Sequence, residues 1–166
     1  MRISGRWWGA AVAGLVLVVV IALAATASLR WKASGVAHAI APPPGAAAPS
    51  FDRAEYERDV VDRVTLVALG LRNDRGKATV RSYTMPPGSP WLQSRKVVAT
   101  QLDRWEQVGD CADNLEATIL ECAWREPTRW WPREVTLTMM RLPSAGKARS
   151  DRTGATFVII GSGVGE

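Results

Sequence analysis

Hydrophobic residues are concentrated in one uninterrupted stretch near the start of the chain. Residues 9–29 contain no charged side chain. A helix of this length extends about 30 Å, at about 1.5 Å per residue, which matches the hydrocarbon core of a bilayer. Trp7, Trp8 and Trp31 flank the stretch, at the level where indole rings prefer to lie among lipid headgroups. The pattern predicts a transmembrane anchor over residues 7–31.

The same stretch also fits a secretory signal peptide. A short basic segment precedes it, and the small residues at 25–27 and 37–39 resemble cleavage sites. The length of the stretch and the cations Arg30 and Lys32 at its end favour an anchor that is retained. Two cationic side chains lie on each flank, so their balance does not orient the segment. Because a single N-terminal span usually leaves a short cytoplasmic N-terminus, here residues 1–6, we expect a single-pass inner (cytoplasmic) membrane protein with a periplasmic C-terminal part.

The chain after the apolar stretch divides into a linker and a domain. Residues 32–50 are rich in proline and alanine and predict a semi-extended spacer that holds the domain off the membrane. Residues 51–166, about 116 in number, are enough for one compact domain with a modest core.

The first periodic segment of the domain begins with a capping-box pattern at Asp52 and Glu55. It predicts a helix over about 52–63. Residues 64–71 either continue that helix or form a strand, because they are rich in β-branched and aliphatic side chains. We favour the strand, joined by a turn to a second strand over 77–84.

A second helix is predicted over about 90–106. Ser89 is a suitable cap and Pro90 fits the first helical position. A single stripe then carries four apolar side chains, which we expect in the core: Trp91, Val98, Leu102 and Trp105.

Three later segments have the composition of strands: 115–124, 134–142 and 155–161. For the first of them a helix capped by Asp113 and Glu116 is the alternative. The glycines of 161–165 predict a flexible tail. Together these elements predict an α+β fold, with one or two helices packed on an antiparallel sheet of three to five strands.

The net charge of +5 does not indicate a nucleic-acid partner. All 16 acidic residues lie after Ser50, together with 17 of the 21 lysines and arginines, so the domain carries +1 and the basic excess flanks the apolar stretch. No basic stripe is left to follow a phosphate backbone. Arginine outnumbers lysine 17 to 4, a bias typical of high-GC bacterial genomes.

Cys111 and Cys122 are the two cysteines of the chain. An even pair in an exported domain predicts one disulfide bond. The spacing matches no Cys-x-x-Cys motif and no histidine lies nearby, so we expect neither a metal site nor a redox pair.

The segment from Trp124 to Arg133 combines three tryptophans with three arginines. Both residue types are common at binding hot spots, and they also suit sugar faces and lipid interfaces. Trp124 continues an apolar strand face, so we expect its side chain to lie in the core. The remaining residues of this type in the segment predict a partner-binding surface: Arg125, Arg129, Trp130, Trp131 and Arg133. The alternative is that the indoles of Trp130 and Trp131 cover the end of the core. The basic loop at 143–154 is expected to be a solvated connection.

The single histidine, His38, lies in the linker, so the domain offers no histidine for a catalytic triad or a metal centre. We expect a non-enzymatic protein without a cofactor. The interpretation is an accessory or scaffold subunit of a membrane-associated assembly of the secretion, pilus or transfer type, whose partners are the lipid bilayer and a protein. The alternative is a cleaved, soluble periplasmic binder, inhibitor or immunity-type protein.

Overall fold

The computed structural model describes residues 5–111, 117–142 and 154–165, without the side chains of residues 5–7 and 91. Several sequence-based expectations lie outside the described residues. These expectations concern the side chains of Trp7 and Trp91, the helix cap at Asp113 and Glu116, and nearly all of the basic loop at 143–154.

The predicted α+β fold is confirmed: helices pack on a five-stranded antiparallel sheet with the order β1-β5-β4-β3-β2. The elements are α1 (Gly5–Ser34), α2 (Ala54–Arg75), β1 (Lys77–Met85), α3 (Trp91–Gln101), β2 (Glu106–Val108), β3 (Ile119–Arg125), β4 (Glu134–Leu142) and β5 (Ala155–Val164). Strand β5 is an interior strand, between β1 and β4, although it follows the other four strands in the chain.

Helix α1 contains a segment, Trp8–Ser34, that is long and apolar enough to cross a membrane. None of the residues in its most hydrophobic window is buried by the rest of the described structure. Exposed fractions reach 66% for Leu15 and 62% for Leu23. The helix therefore presents a continuous apolar surface on all sides, as a membrane span requires.

Each face of the sheet carries its own hydrophobic core. Under α2 the fully buried members are Val60, Met140, Phe157 and Ile159. The opposite face, under α3, includes Val98, Leu102, Trp124, Leu137 and Val158. Because alternate residues of β5 point into the two cores, its sequence is apolar at every position from Phe157 to Ile160 rather than alternating.

The predicted strand over 64–71 is wrong, because α2 continues through it to Arg75. Val64 and Val67 pack against the core under α2, and Leu71 is 2% exposed. Burial at helical spacing therefore outweighs the β propensity of the segment. The helix ends at Gly76, which has a φ of 82° and donates its N–H to the Arg72 carbonyl at 2.8 Å.

The capping box at Asp52 and Glu55 does not form. The helix begins at Ala54 after Arg53, which makes no side-chain cap. The Glu55 carboxylate accepts instead from the Arg53 guanidinium at 3.1 Å.

The second predicted helix is confirmed in position and wrong in length. Helix α3 ends at Gln101, and the chain then forms the short strand β2, which pairs with β3. Val98 and Leu102 are buried as expected. Trp105 lies in the connection after α3 and packs against the core from there.

Residues 119–125 form a strand, so the helical alternative is wrong there, and β4 matches the predicted 134–142. The expectation of a flexible tail is also wrong, because β5 extends to Val164. Gly161 and Gly163 lie directly beneath α2. A Cβ atom built on Gly161 would lie 2.6 Å from Leu71 Cδ1, so the close approach of helix and strand requires glycine there.

The segment expected to act as a free spacer lies on the sheet. Ile40 and Ala46 pack against the core on the α3 face. The side-chain amide of Gln101 bonds both the N–H and the carbonyl of Ala41, at 2.8 and 3.0 Å. Ala47 forms an isolated β-bridge with Thr84 at the outer edge of β1. The proline-rich segment docks on the domain because the sheet and α3 supply its packing and hydrogen-bond partners.

The predicted disulfide is confirmed. Cys111 and Cys122 are bonded with their Cα atoms 4.9 Å apart. Both cysteines are buried on the α3 face, and the Arg95 guanidinium donates to the Cys111 carbonyl at 2.7 Å.

Candidate binding surfaces

Glu126 is the centre of a charge cluster that joins the end of α1 to the loop between β3 and β4. Arg30 donates to both carboxylate oxygens of Glu126, at 2.9 Å from Nη1 and closer from Nη2. Arg133 donates to the same two oxygens, each at 3.0 Å. The carboxylate thus accepts from two forked guanidinium groups, the strongest geometry available to it.

The two arginines determine the pKa of Glu126. Burial alone would raise the pKa of this carboxyl, but the hydrogen bonds from Arg30 and Arg133 outweigh burial and lower the pKa to about 2. Glu126 is therefore ionised at any ordinary pH, and the cluster is held as a permanent ion network.

His38 lies beside this cluster. Its ring centroid is 4.9 Å from the ring centroid of Trp105. The Arg133 guanidinium lies over the Trp105 ring, 5.7 Å from the centroid of that ring. Burial and then the charge of Arg133 lower the pKa of His38, although Glu126 raises it. The backbone N–H of His38 donates to Ser162 Oγ at 3.0 Å, which fixes the segment on β5.

A second ion network lies next to the first along the same end of the sheet. Glu134 is 6% exposed and accepts from Arg75 at 2.9 Å and from Arg125 at 3.3 Å. Arg125 and Arg133 are therefore both paired with carboxylates of the domain itself.

Trp130 and Trp131 occupy the tip of the β3–β4 loop and differ in exposure. Trp130 is 56% exposed, whereas Trp131 is half-buried and meets Trp130 edge to face at 5.8 Å. Trp131 has a φ of 50° and lies directly over Gly165. Arg30 donates to the carbonyls of both tryptophans, at 3.2 and 3.3 Å.

The five residues expected to form one partner-binding surface are thus divided by the structure. Trp130 and Arg129 are exposed. Trp131 is packed on the end of β5, and Arg125 and Arg133 belong to ion networks. Trp124 is 4% exposed and lies in the core, as the sequence indicates.

Sequence reasoning missed a surface on α2. Val61, Leu66 and Leu69 are 52%, 59% and 48% exposed. Leu66 and Leu69 are three positions apart and are neighbours on the exposed side of the helix, and Val61 lies about two turns before Leu69. We call these three residues the α2 outer surface. Apolar residues on both the buried and the exposed side of α2 are the signal that could have revealed this surface. It was missed because residues 64–71 were interpreted as a strand.

A groove of about 760 Å³ runs beside α2, between that helix and strands β3 and β4. Leu66, Ile119 and Met140 contribute its apolar part. Glu55, Asp59 and Asp62 give its helix side an acidic character. Arg63 crosses the groove and donates to Glu121 at 2.7 Å.

Neither surface has the composition of a metal centre: among the described residues, no group of three histidine, cysteine, aspartate or glutamate side chains is placed to hold an ion. Comparison with protein-family models, with curated proteins and with solved structures finds no match for this chain.

Proposed function

We propose that this protein is a non-enzymatic, single-pass envelope protein, an accessory or scaffold subunit of a membrane-associated assembly of the secretion, pilus or transfer type. Helix α1 anchors it in the inner membrane, and the α+β domain, on the periplasmic side, binds a protein partner. The observation that carries the proposal is the α2 outer surface, because Leu66 and Leu69 are large aliphatic side chains exposed side by side one turn apart, Val61 adds a third exposed aliphatic side chain two turns before Leu69, and exposed apolar patches mark interaction sites.

The contacts of α1 support an anchor that is retained. Arg30 bonds Glu126 and two loop carbonyls, and the Gly165 N–H donates to the Ser34 carbonyl at 3.1 Å. Cleavage after Ala39 would remove all of these contacts, as well as His38, whereas cleavage after Ala27 would leave them in place. A soluble form produced by cleavage after Ala39 would therefore lose part of its own packing.

Site-specific photocrosslinking tests the partner. A photoreactive amino acid at Leu66 or Leu69 of the full chain, in native membranes, should give one discrete adduct with another membrane-associated protein. The same residue in place of Lys96, exposed on α3 over the opposite face of the sheet, should not.

A charge substitution provides a second test of the same interface. Leu66→Asp should abolish crosslinking from position 69 without lowering the unfolding temperature, because Leu66 contributes little to the core. Lys96→Asp is the matched control and should leave the adduct unchanged. Equal crosslinking from 66 and 96, or an adduct that survives Leu66→Asp, would exclude the α2 outer surface as the interface.

A further inference from the structure

The end of α1 identifies which end of the domain lies nearest the membrane. The apolar stretch ends at Leu29, and the next residue, Arg30, bonds the carbonyls of Trp130 and Trp131. Residues 30–34 extend only about 7 Å beyond the apolar stretch, at about 1.5 Å per residue. The β3–β4 loop is thus held at the depth of lipid headgroups when α1 spans a bilayer.

Other turns of the domain lie at this same end of the sheet. The register pairs Lys77 with Val164, Gly163 with Glu134 and Arg125 with Glu106. The α2–β1 turn, the α3–β2 connection and the β3–β4 loop consequently share one end with the last residues of β5. We call this the α1-proximal end.

Exposed side chains are distributed unevenly between the two ends. Those at the α1-proximal end include five cations and one large indole: Lys32, Arg72, Lys77, Arg104, Arg129 and Trp130. Three exposed anions accompany them: Asp74, Asp103 and Glu106. The start of α2, at the opposite end, exposes four anions and one cation: Glu55, Glu57, Asp59, Asp62 and Arg58. Among the described residues, the end nearest α1 therefore carries an excess of exposed cations, and the start of α2 an excess of exposed anions.

We propose that the α1-proximal end rests on the bilayer that α1 spans, with Trp130 among the headgroups and Arg72, Arg104 and Arg129 against anionic lipids. An exposed indole is favourable at the headgroup level, and exposed arginines are attracted by negative headgroups. The Arg30–Glu126 pair fixes the loop in this position. The inference rests on the anchoring of α1 in the proposed function and adds a lipid-binding surface to it.

Depth-dependent quenching tests the proposal on the purified full chain, reconstituted in vesicles of phosphatidylcholine and phosphatidylglycerol. Because the native cysteines are bonded to each other, a cysteine at position 129 or 59 can be labelled selectively with an NBD fluorophore. Quenching by lipids with a headgroup nitroxide should be several-fold stronger from Arg129→Cys than from Asp59→Cys. Adding Trp130→Ser to the first variant should reduce quenching, while leaving the unfolding temperature unchanged.

The outcomes separate docking from anchoring. If the protein stays with the vesicles after carbonate treatment but both labels are quenched equally, docking is wrong and the anchor stands. If carbonate releases the protein, the anchor fails and docking fails with it. Since no other protein is present, quenching at position 129 cannot come from a protein partner. Quenching that is unchanged by Trp130→Ser would also contradict the assigned role of that residue.

Discussion

Arg30 and Glu126 form a two-pronged ion pair between residues 96 positions apart in the chain. One belongs to the apolar N-terminal helix and the other to a loop between two strands of the sheet. The side chains are 23% and 15% exposed, so water weakens this pair less than a surface pair. The pair makes the last turn of α1 part of the packed structure rather than a free tether.

Glu126→Gln should lower the stability of the full chain in detergent micelles by about 2 kcal/mol at pH 7, since charged hydrogen bonds to both arginines are weakened. The pKa of Glu126 is about 2 in the folded protein and 4.5 ordinarily, so on acidification the unfolded chain takes up the proton first. The contribution is complete above about pH 4.5 and is lost as the pH falls toward 2. Chemical unfolding at a series of pH values measures it.

The matched control is Glu55→Gln, whose exposed side chain pairs with nearby Arg53. It should change stability by less than about 0.5 kcal/mol. A wild-type advantage over Glu126→Gln that stays constant from pH 6 to about 2.5 would contradict the assigned pKa.

Replacing both Cys111 and Cys122 by alanine should cost about 3 kcal/mol, the chain-entropy value for closing a loop of a dozen residues. Unfolding experiments on the double variant measure this cost, with the wild type under reducing conditions as comparison. Alkylation of native wild-type protein should detect no free thiol. Two alkylated cysteines in the folded wild type would be incompatible with the structure.

Gly161→Ala should destabilise the protein by about 1–3 kcal/mol, because the new Cβ atom meets Leu71, Thr136 and Val67 within 2.8 Å. Gly70→Ala is the control. Its Cβ meets nothing within 4 Å, and alanine in the exposed side of α2 should raise stability by about 0.5–1 kcal/mol. Thermal unfolding of the two variants should therefore shift in opposite directions. A neutral Gly161→Ala would show that α2 does not pack this closely on β5.

The sequence patterns identified elements best where local composition and burial agree. The limits of β4 were predicted because its β-rich run is bounded by Pro132 and Pro143. Residues 64–71 were misassigned because their β propensity is a local signal, whereas the helix depends on contacts with Phe157 and Ile159, nearly a hundred residues later. Docking of the proline-rich segment was missed for the same reason, since its partners on β1, β5 and α3 are distant in sequence.

In the candidate site, too, local sequence features were predicted and contacts between distant residues were not. The exposure of Trp130 was expected from its place in a proline-bounded loop. The roles of Arg125 and Arg133 were not, because their acceptors become neighbours only when β3 and β4 pair. Arg30 was counted only as a flanking charge, and Glu126 was not singled out at all. A single sequence does not reveal that these two side chains meet.

The interior position of β5, between β1 and β4, has a consequence for synthesis and turnover. As the chain is made, β1 has no neighbour in the sheet until residues 155–164 have emerged, so the two cores close late and together. A protease that removed these residues would separate β1 from the rest of the sheet rather than trim an edge strand. Truncated or stalled chains should therefore be recognised as unfolded by quality-control proteases, whereas complete chains should resist them.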